Sequence, residues 1–447
     1  MLSQIFAVLI FLGMFVCIVS GKISRHITTS VAALLTIVLV FLLTMQSPQA
    51  LHEALALHTL LEPGFWLSRQ NGGTESGGIN WGTILFIAGM MIMVEGLEDS
   101  GFFRWLCMVL AKAVGYRTIP LFLSFVFLSA FLSMFIDSIT VILFLVAVSV
   151  ELSQLLRFDP VPLILSEIFA ANLGGAATMS GDPPNIIIGT ALGYTFSDFL
   201  CHTGMIAWIS MAAVLPFLLF GARSMVSKGS VQPEISLPSS DIVVRPYFYR
   251  SVFVFLLTVF LLVTHGITGL SVASVGVIAA GLTFITAYQR PQILLSRLDW
   301  RTLLFFAGLF VTVSGLEQTG ILELLAGLFS RVGNGDPSVI LIIILWISAI
   351  ASAFVDNIPF AATMVPVIRS IAATQGMELD TLAWTLALGT DIGGSATPIG
   401  ASANVVGIAI AAKHGHPISW GRYCRTAVPV TVVAMTVSML CIFLFFL

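Results

Sequence analysis

Four aspartates stand in a chain that is otherwise almost devoid of charge. Asp137 and Asp356 interrupt apolar runs, with Ser138 and Thr140 beside the first (SMFIDSIT) and Asn357 beside the second (SAFVDNIP). Asp182 and Asp391 lie in or next to two glycine-rich stretches, ANLGGAATMSGDPPN (Ala171 to Asn185) and TDIGGSATPIGASAN (Thr390 to Asn404). If these segments cross a bilayer, each carboxylate costs about 2.5–3.5 kcal/mol on insertion scales and needs a partner or a water-filled site. Neither pair of motifs contains a lysine or an arginine. Carboxylates with hydroxyls, amides and backbone carbonyls, and no base among them, suit the holding of a cation or the exchange of a proton. For Asp137 and Asp356 the competing assignment is a helix N-cap, for which Asp, Ser and Asn are preferred types. The two assignments are compatible, since a capped helix start at such a tip also points free amides into the site.

The motifs occur twice at one spacing. WGTILFIAGMMIMVEGLEDSG (Trp81 to Gly101) matches WRTLLFFAGLFVTVSGLEQTG (Trp300 to Gly320) at about half its positions, with a shift of 219. The same shift carries Asp137 onto Asp356, Ser138 onto Asn357, Asn172 onto Asp391, Gly174 onto Gly393, Thr178 onto Thr397 and Asn185 onto Asn404. Asp182 maps onto Ala401, so the acidic groups of the two stretches are not equivalent. A constant offset over this distance marks a duplicated half. Gly174, Gly175 and Gly181 free the backbone, and Pro183 and Pro184 withhold donors and stop the preceding helix. Gly393, Gly394, Pro398 and Gly400 do the same in the second copy. Each stretch therefore breaks a span into two half-helices, whose free N–H and C=O ends can hold anions and cations respectively.

The elements that position these residues follow from composition. Of 447 residues, 58% are hydrophobic and 9% charged, against roughly 25% charged in soluble chains, so the chain is read as an all-α polytopic membrane protein. A net charge of −3 excludes a nucleic-acid surface. Apolar spans of the length a bilayer needs fall near 3–20, 27–46, 81–98, 161–194 and 203–222, and again near 250–266, 269–287, 300–317, 381–411 and 426–446. The first is taken as a span, not a cleaved signal, for want of a basic n-region and a small-residue cleavage site. Arms 118–157 and 337–373 form two hairpins around Asp137 and Asp356, and 101–117 suits an interfacial helix. Residues 46–78 read as a loop. The halves are 1–222, with broken helix 161–194, and 250–447, with broken helix 381–411, joined by a cytoplasmic linker over 223–249. Five crossings per half make the repeat inverted, about ten transmembrane helices plus hairpins. Arg69, Arg331 and Arg369 then fall on one face and the other sixteen bases on the opposite one, which the positive-inside rule makes cytoplasmic, with both termini outside.

Other groups carry weaker signals. Glu95 and Glu167 lie within spans and suit either a relay or a carboxyl hydrogen-bonded between packed helices. Glu98 and Glu317 recur at equivalent span ends, and His414 and His416 suit a solvated loop. Cys17, Cys107, Cys201, Cys424 and Cys441 have neither paired nor metal-ligand spacing. No nucleophile elbow, phosphate loop or His-metal cluster points to an enzyme.

At GGAATMSGDPPNIIIG, SAFVDNIPFAATMVP and IGASANVVGIA the sequence resembles the ion transporter superfamily, over nearly its whole length. It is most similar to the branch of arsenite permeases, D-type sodium/proton antiporters and the melanosomal P protein. The resemblance implies an elevator-type secondary transporter of a bacterial inner (plasma) membrane, a homodimer, with lipid and a small inorganic ion or anion as its partners. No resident cofactor is implied, only Na+ or H+ as coupling ion. Carried over by position, it makes Asn172, Thr178, Asn185, Asp391, Thr397 and Asn404 site candidates beside the tips, with Gly174 and Gly393 at the breaks. Sodium would fall at Asp137, Asn172, Asp356 and Asp391. Sodium/proton antiport or arsenite/antimonite efflux is the leading expectation. A carboxylate permease is the alternative, disfavoured because related dicarboxylate symporters carry neutral Ser-Asn-Thr tips where an ionised aspartate would repel the substrate.

Overall fold

The computed structural model describes residues 2–67, 77–223, 247–286, 291–332 and 336–447. Nearly all of the linker thus lies outside the described residues, as does Arg69. Among the described residues the architecture is all-helical, and nine helices are long and apolar enough to cross a membrane. Their bounds fall close to the expected ones: Leu2–Ser20, Arg25–Thr44, Trp81–Asp99, Phe248–Thr268, Trp300–Gln318 and Trp420–Phe446 among them. The segment read as a loop over 46–78 differs. Its described part contains helices Pro48–Leu55 and Pro63–Trp66, the first begun by Ser47, whose hydroxyl accepts from the Ala50 amide, and by Pro48 at its first position.

Two groups of helices can be distinguished by what they pack against. In one, Trp81–Asp99 lies along Val272–Thr286, and Trp300–Gln318 lies along Arg25–Leu35 and its continuation Thr36–Thr44. Close crossing explains two repeated glycines: a Cβ on Gly89 would fall on the Gly276 backbone, and one on Gly308 on that of Thr29. Leu2–Ser20 closes this group at its edge with 17% of its span buried, whereas 67% of Trp300–Gln318 is buried at the centre.

The second group holds the hairpins and the broken segments. Arms Thr118–Ser133 and Pro337–Phe354 pack on half-helices Val161–Gly175 and Leu379–Gly393 of their own halves. Return arm Ser138–Leu156 packs on Ser402–Lys413 as well as on Val161–Gly175, and Asn357–Gln375 on Pro183–Leu192 as well as on Leu379–Gly393. Each return arm therefore leans on the second half-helix of the other half. Phe102–Ala113 forms the expected separate helix before the first hairpin, its Phe103 stacked on Phe144 at 4.0 Å.

Candidate functional site

The two gaps are built by the same bonds. Breaking a helix orphans the last carbonyls of its first half, and an asparagine one turn into the second half satisfies them. Asn185 Nδ2 donates to the carbonyls of Gly175 (3.1 Å) and Thr178 (3.0 Å), and Asn404 Nδ2 to those of Gly394 and Thr397 (both 2.8 Å). Thr178 donates to the Met134 carbonyl and Thr397 to that of Ala353, so each hairpin tip is tied to its gap. Gly174 and Gly393 make that tie possible, because a Cβ at either would collide with the backbone of Ala130 or Ala349 in the facing arm. These two glycines set the backbone approach of arm and gap.

The halves diverge at the pair Asn172 and Asp391. Asn172 Nδ2 donates to Asn404 Oδ1 (2.8 Å) and to Ser395 Oγ (3.1 Å). In the equivalent place Asp391 has Asn185 and Asp182 as polar neighbours. It is 1% exposed, and neither carboxylate oxygen accepts a well-formed hydrogen bond, the Asn185 side chain lying close to it without one. The Oδ1 atoms of Asn185 and Asn172 are also buried without a donor. Buried acceptors almost always find donors, so this group of unmatched oxygens is exceptional.

A cavity of about 580 Å³ lies close by, its wall including Asp137, Thr140, Ser180, Arg25 and Ser402, with Glu95, Glu98 and Arg297 also lining it. Asp137 accepts from the amide (3.0 Å) and the hydroxyl (2.7 Å) of Thr140, so it is an N-cap and a wall residue at once. Ser138 next to it donates to Asp182 Oδ1 at 2.6 Å. Asp182 is close enough to both Asp137 and Asp391 for their charges to act on each other. Three carboxyls thus run in file from the half-buried Asp137 to the enclosed Asp391. A second cavity, of about 240 Å³, lies at the other end of Trp81–Asp99, between Asn80, Glu317 and Arg369. Arg369 closes it by donating to the Ala191 carbonyl at the end of a half-helix.

Asp356 behaves differently. It caps its own helix through the Ile358 amide (3.2 Å), and its other oxygen forms an ion pair with Arg25, the first residue of Arg25–Leu35. The same guanidinium nitrogen reaches Ser402 Oγ at 3.2 Å. Asn357 is buried beside this pair. The motifs hold no base, yet the folded site has one, brought from 331 residues away. Arg25 reads in sequence as one of the bases that set topology, and no local spacing marks it otherwise. Ser395 and Ser402 lie inside the second glycine-rich stretch but are not among the candidates drawn from it.

The weaker candidates separate clearly. Glu95 pairs with Arg297 at 2.6 Å in the cavity lining. Glu167 is fully buried and accepts from Ser149, which joins the hairpin arm to the broken segment. His414 is exposed. Among the described residues no group of three His, Cys, Asp or Glu side chains is placed to hold a metal by itself.

A polytopic helical bundle with broken spans around buried carboxyls belongs to a class, the membrane transporters. The chain belongs to the citrate transporter family (CitMHS), whose family model matches residues 15–389. It is 34% identical to a 46 kDa membrane protein of Mycobacterium leprae and 35% identical to an uncharacterized transporter of Mycobacterium tuberculosis, in each case over 81% of this chain and 85% of the relative. The human P protein is 28% identical over 81% of this chain and 53% of its own length. The fold is similar to those of the Alcanivorax borkumensis YdaH transporter (TM-score 0.58, 14% identity, 100% of this chain and 98% of that one) and of Neisseria gonorrhoeae MtrF (TM-score 0.53, 15% identity, 96% and 94%).

Proposed function

We propose that the protein is a secondary active transporter of a small ion, coupled to a proton or sodium gradient through Asp391 and its neighbours. The observation that carries this reading is the contrast between two equivalent pairs: Asn172 donates to the Asn404 oxygen, whereas Asp391 lies beside Asn185 with neither carboxylate oxygen in a well-formed hydrogen bond. A proton on Asp391 would supply the donor that the Asn185 oxygen lacks. A sodium ion would use the same oxygens together with nearby carbonyls. Asp137 and Asp182 form the route to it, and the cavity admits the ion from the base-rich side. That side is cytoplasmic in this reading, which also takes the halves as inverted repeats and the termini as external. The hairpins and broken segments would move together as an elevator against the remaining spans, within an inner-membrane homodimer.

A carboxylate permease is a second reading, favoured by the family match and by one finding in the site. The Arg25 ion pair compensates the charge of Asp356, which removes half of the expected repulsion at the tips. The test is flux into proteoliposomes with sodium, arsenite and citrate, each with and without an imposed pH gradient. Gradient-dependent flux that Asp391→Asn abolishes is expected. Full gradient coupling in that variant would refute the Asp391 assignment.

A further inference from the structure

We propose that Arg25 is the anion-selecting residue of this transporter, and that Asp356 holds its place when no substrate is bound; this rests on the transport reading above and names a substrate class for it. Three observations converge. The Arg25 side chain is 43% exposed and lines the 580 Å³ cavity, whereas that of its partner Asp356 is 5% exposed. Both bonds it makes use one nitrogen, Nη1, and among the described residues Nη2 and Nε have no acceptor. A guanidinium offers a planar fork that matches a carboxylate or phosphate oxygen pair, and here most of the fork is free. The two residues it touches, Asp356 and Ser402, stand at the starts of helices Asn357–Gln375 and Ser402–Lys413, and the second of these starts has no side-chain cap.

An aspartate carboxylate at this position is itself a small anion in an anion's place. A substrate carboxylate entering through the cavity can take over the guanidinium and the Ser402 hydroxyl. Asp356 is then left with its capping bond to Ile358. Because Arg25 belongs to one group of helices and Asp356 and Ser402 to the other, the exchange also changes what joins them. The ligand class is a small anion bearing at least one carboxylate or comparable oxyanion. A neutral hydroxide such as arsenite lacks the charge to compete with Asp356.

The experiment measures ligand-induced thermal stabilisation and uptake for the purified full chain, using citrate, succinate, inorganic phosphate and arsenite as probes. For the wild type, a carboxylate probe is expected to stabilise the protein and to be taken up. Arg25→Gln should weaken that binding about 10-fold, below the scale of losing one partner of a fully buried charge pair because the Arg25 side chain is 43% exposed. Arg25→Lys should restore only part of it. Asp356→Asn should bind the anion more tightly than wild type, because the internal competitor is gone. A pair that merely holds the two helix groups together would lose binding in both variants alike, and that result overturns the proposal. So does stabilisation of Arg25→Gln equal to that of wild type. Gradient-driven flux of sodium or arsenite that survives in Arg25→Gln, with no anion binding in wild type, would sink the anion role while leaving the transport reading intact. Absence of flux for every probe in wild type would instead fail the transport reading.

Discussion

At the scale of single residues, the site turns on which buried oxygens have donors. Ser138 is the link between the cavity wall and Asp182. Ser138→Ala is therefore expected to slow gradient-coupled flux while leaving the fold intact, as checked by proteoliposome flux beside a melting curve. A second prediction concerns Glu53, which lies outside the spans on Pro48–Leu55. Hydrogen bonds from Gln49 (2.9 Å) and then Gln318 (3.0 Å) hold its carboxyl below the usual carboxylate range. A depressed folded-state value contributes stability that is present above the unfolded value and is lost as pH falls through the folded one. Melting temperature should therefore fall on acidification through the carboxylate range, and Gln318→Leu should lessen that fall. Much of this scale was legible beforehand. Asp137, Asp182, Asn185 and Asp391 come from motifs whose polarity is conspicuous in apolar sequence, and folding brings them into one file. Arg25 was not legible, because a base at the start of a span looks the same whether it faces headgroups or reaches a hairpin tip.

Among the elements, the hairpins and gaps depend on close backbone approach. Gly174→Val and Gly393→Val should each destabilise the protein by about 1–3 kcal/mol, the range for overpacking a filled contact, read as a lower melting temperature in detergent. Equal damage is expected, since Ala130 and Ala349 occupy equivalent places opposite them; a harmless substitution at either would contradict the packing described. The breaks could be read from sequence because glycine and proline act locally. The helix Pro48–Leu55 could not. Its stretch carries the polar and glycine signals of a connection, and its order comes from a cap and from contacts with Trp300–Gln318 that lie far away in sequence.

For the molecule as a whole, the proposed alternating access would make the two cavities of unequal size the two ends of one pathway. A cysteine at Thr302, on the wall of the larger cavity, should react with an impermeant thiol reagent applied from the base-rich side, and one at Asn80 only from the other, after replacement of the native cysteines. Addition of a transported ion should shift the two reactivities in opposite directions. The duplication was plain at this scale, because a shift of 219 needs no structure to be seen. The crossing of return arms onto the opposite half was not, since pairing between distant helices leaves no trace in spacing. That crossing also bears on how the copies have aged. Where Asn172 donates to Asn404, the second copy has an acid whose oxygens lie buried without a well-formed hydrogen bond. Asp391→Asn would make the halves alike again, and relief of an unmatched buried group is worth about 1–3 kcal/mol. The variant should melt at a higher temperature than the native chain even as it ceases to couple, a trade of endurance for work that a calorimeter can read without any substrate.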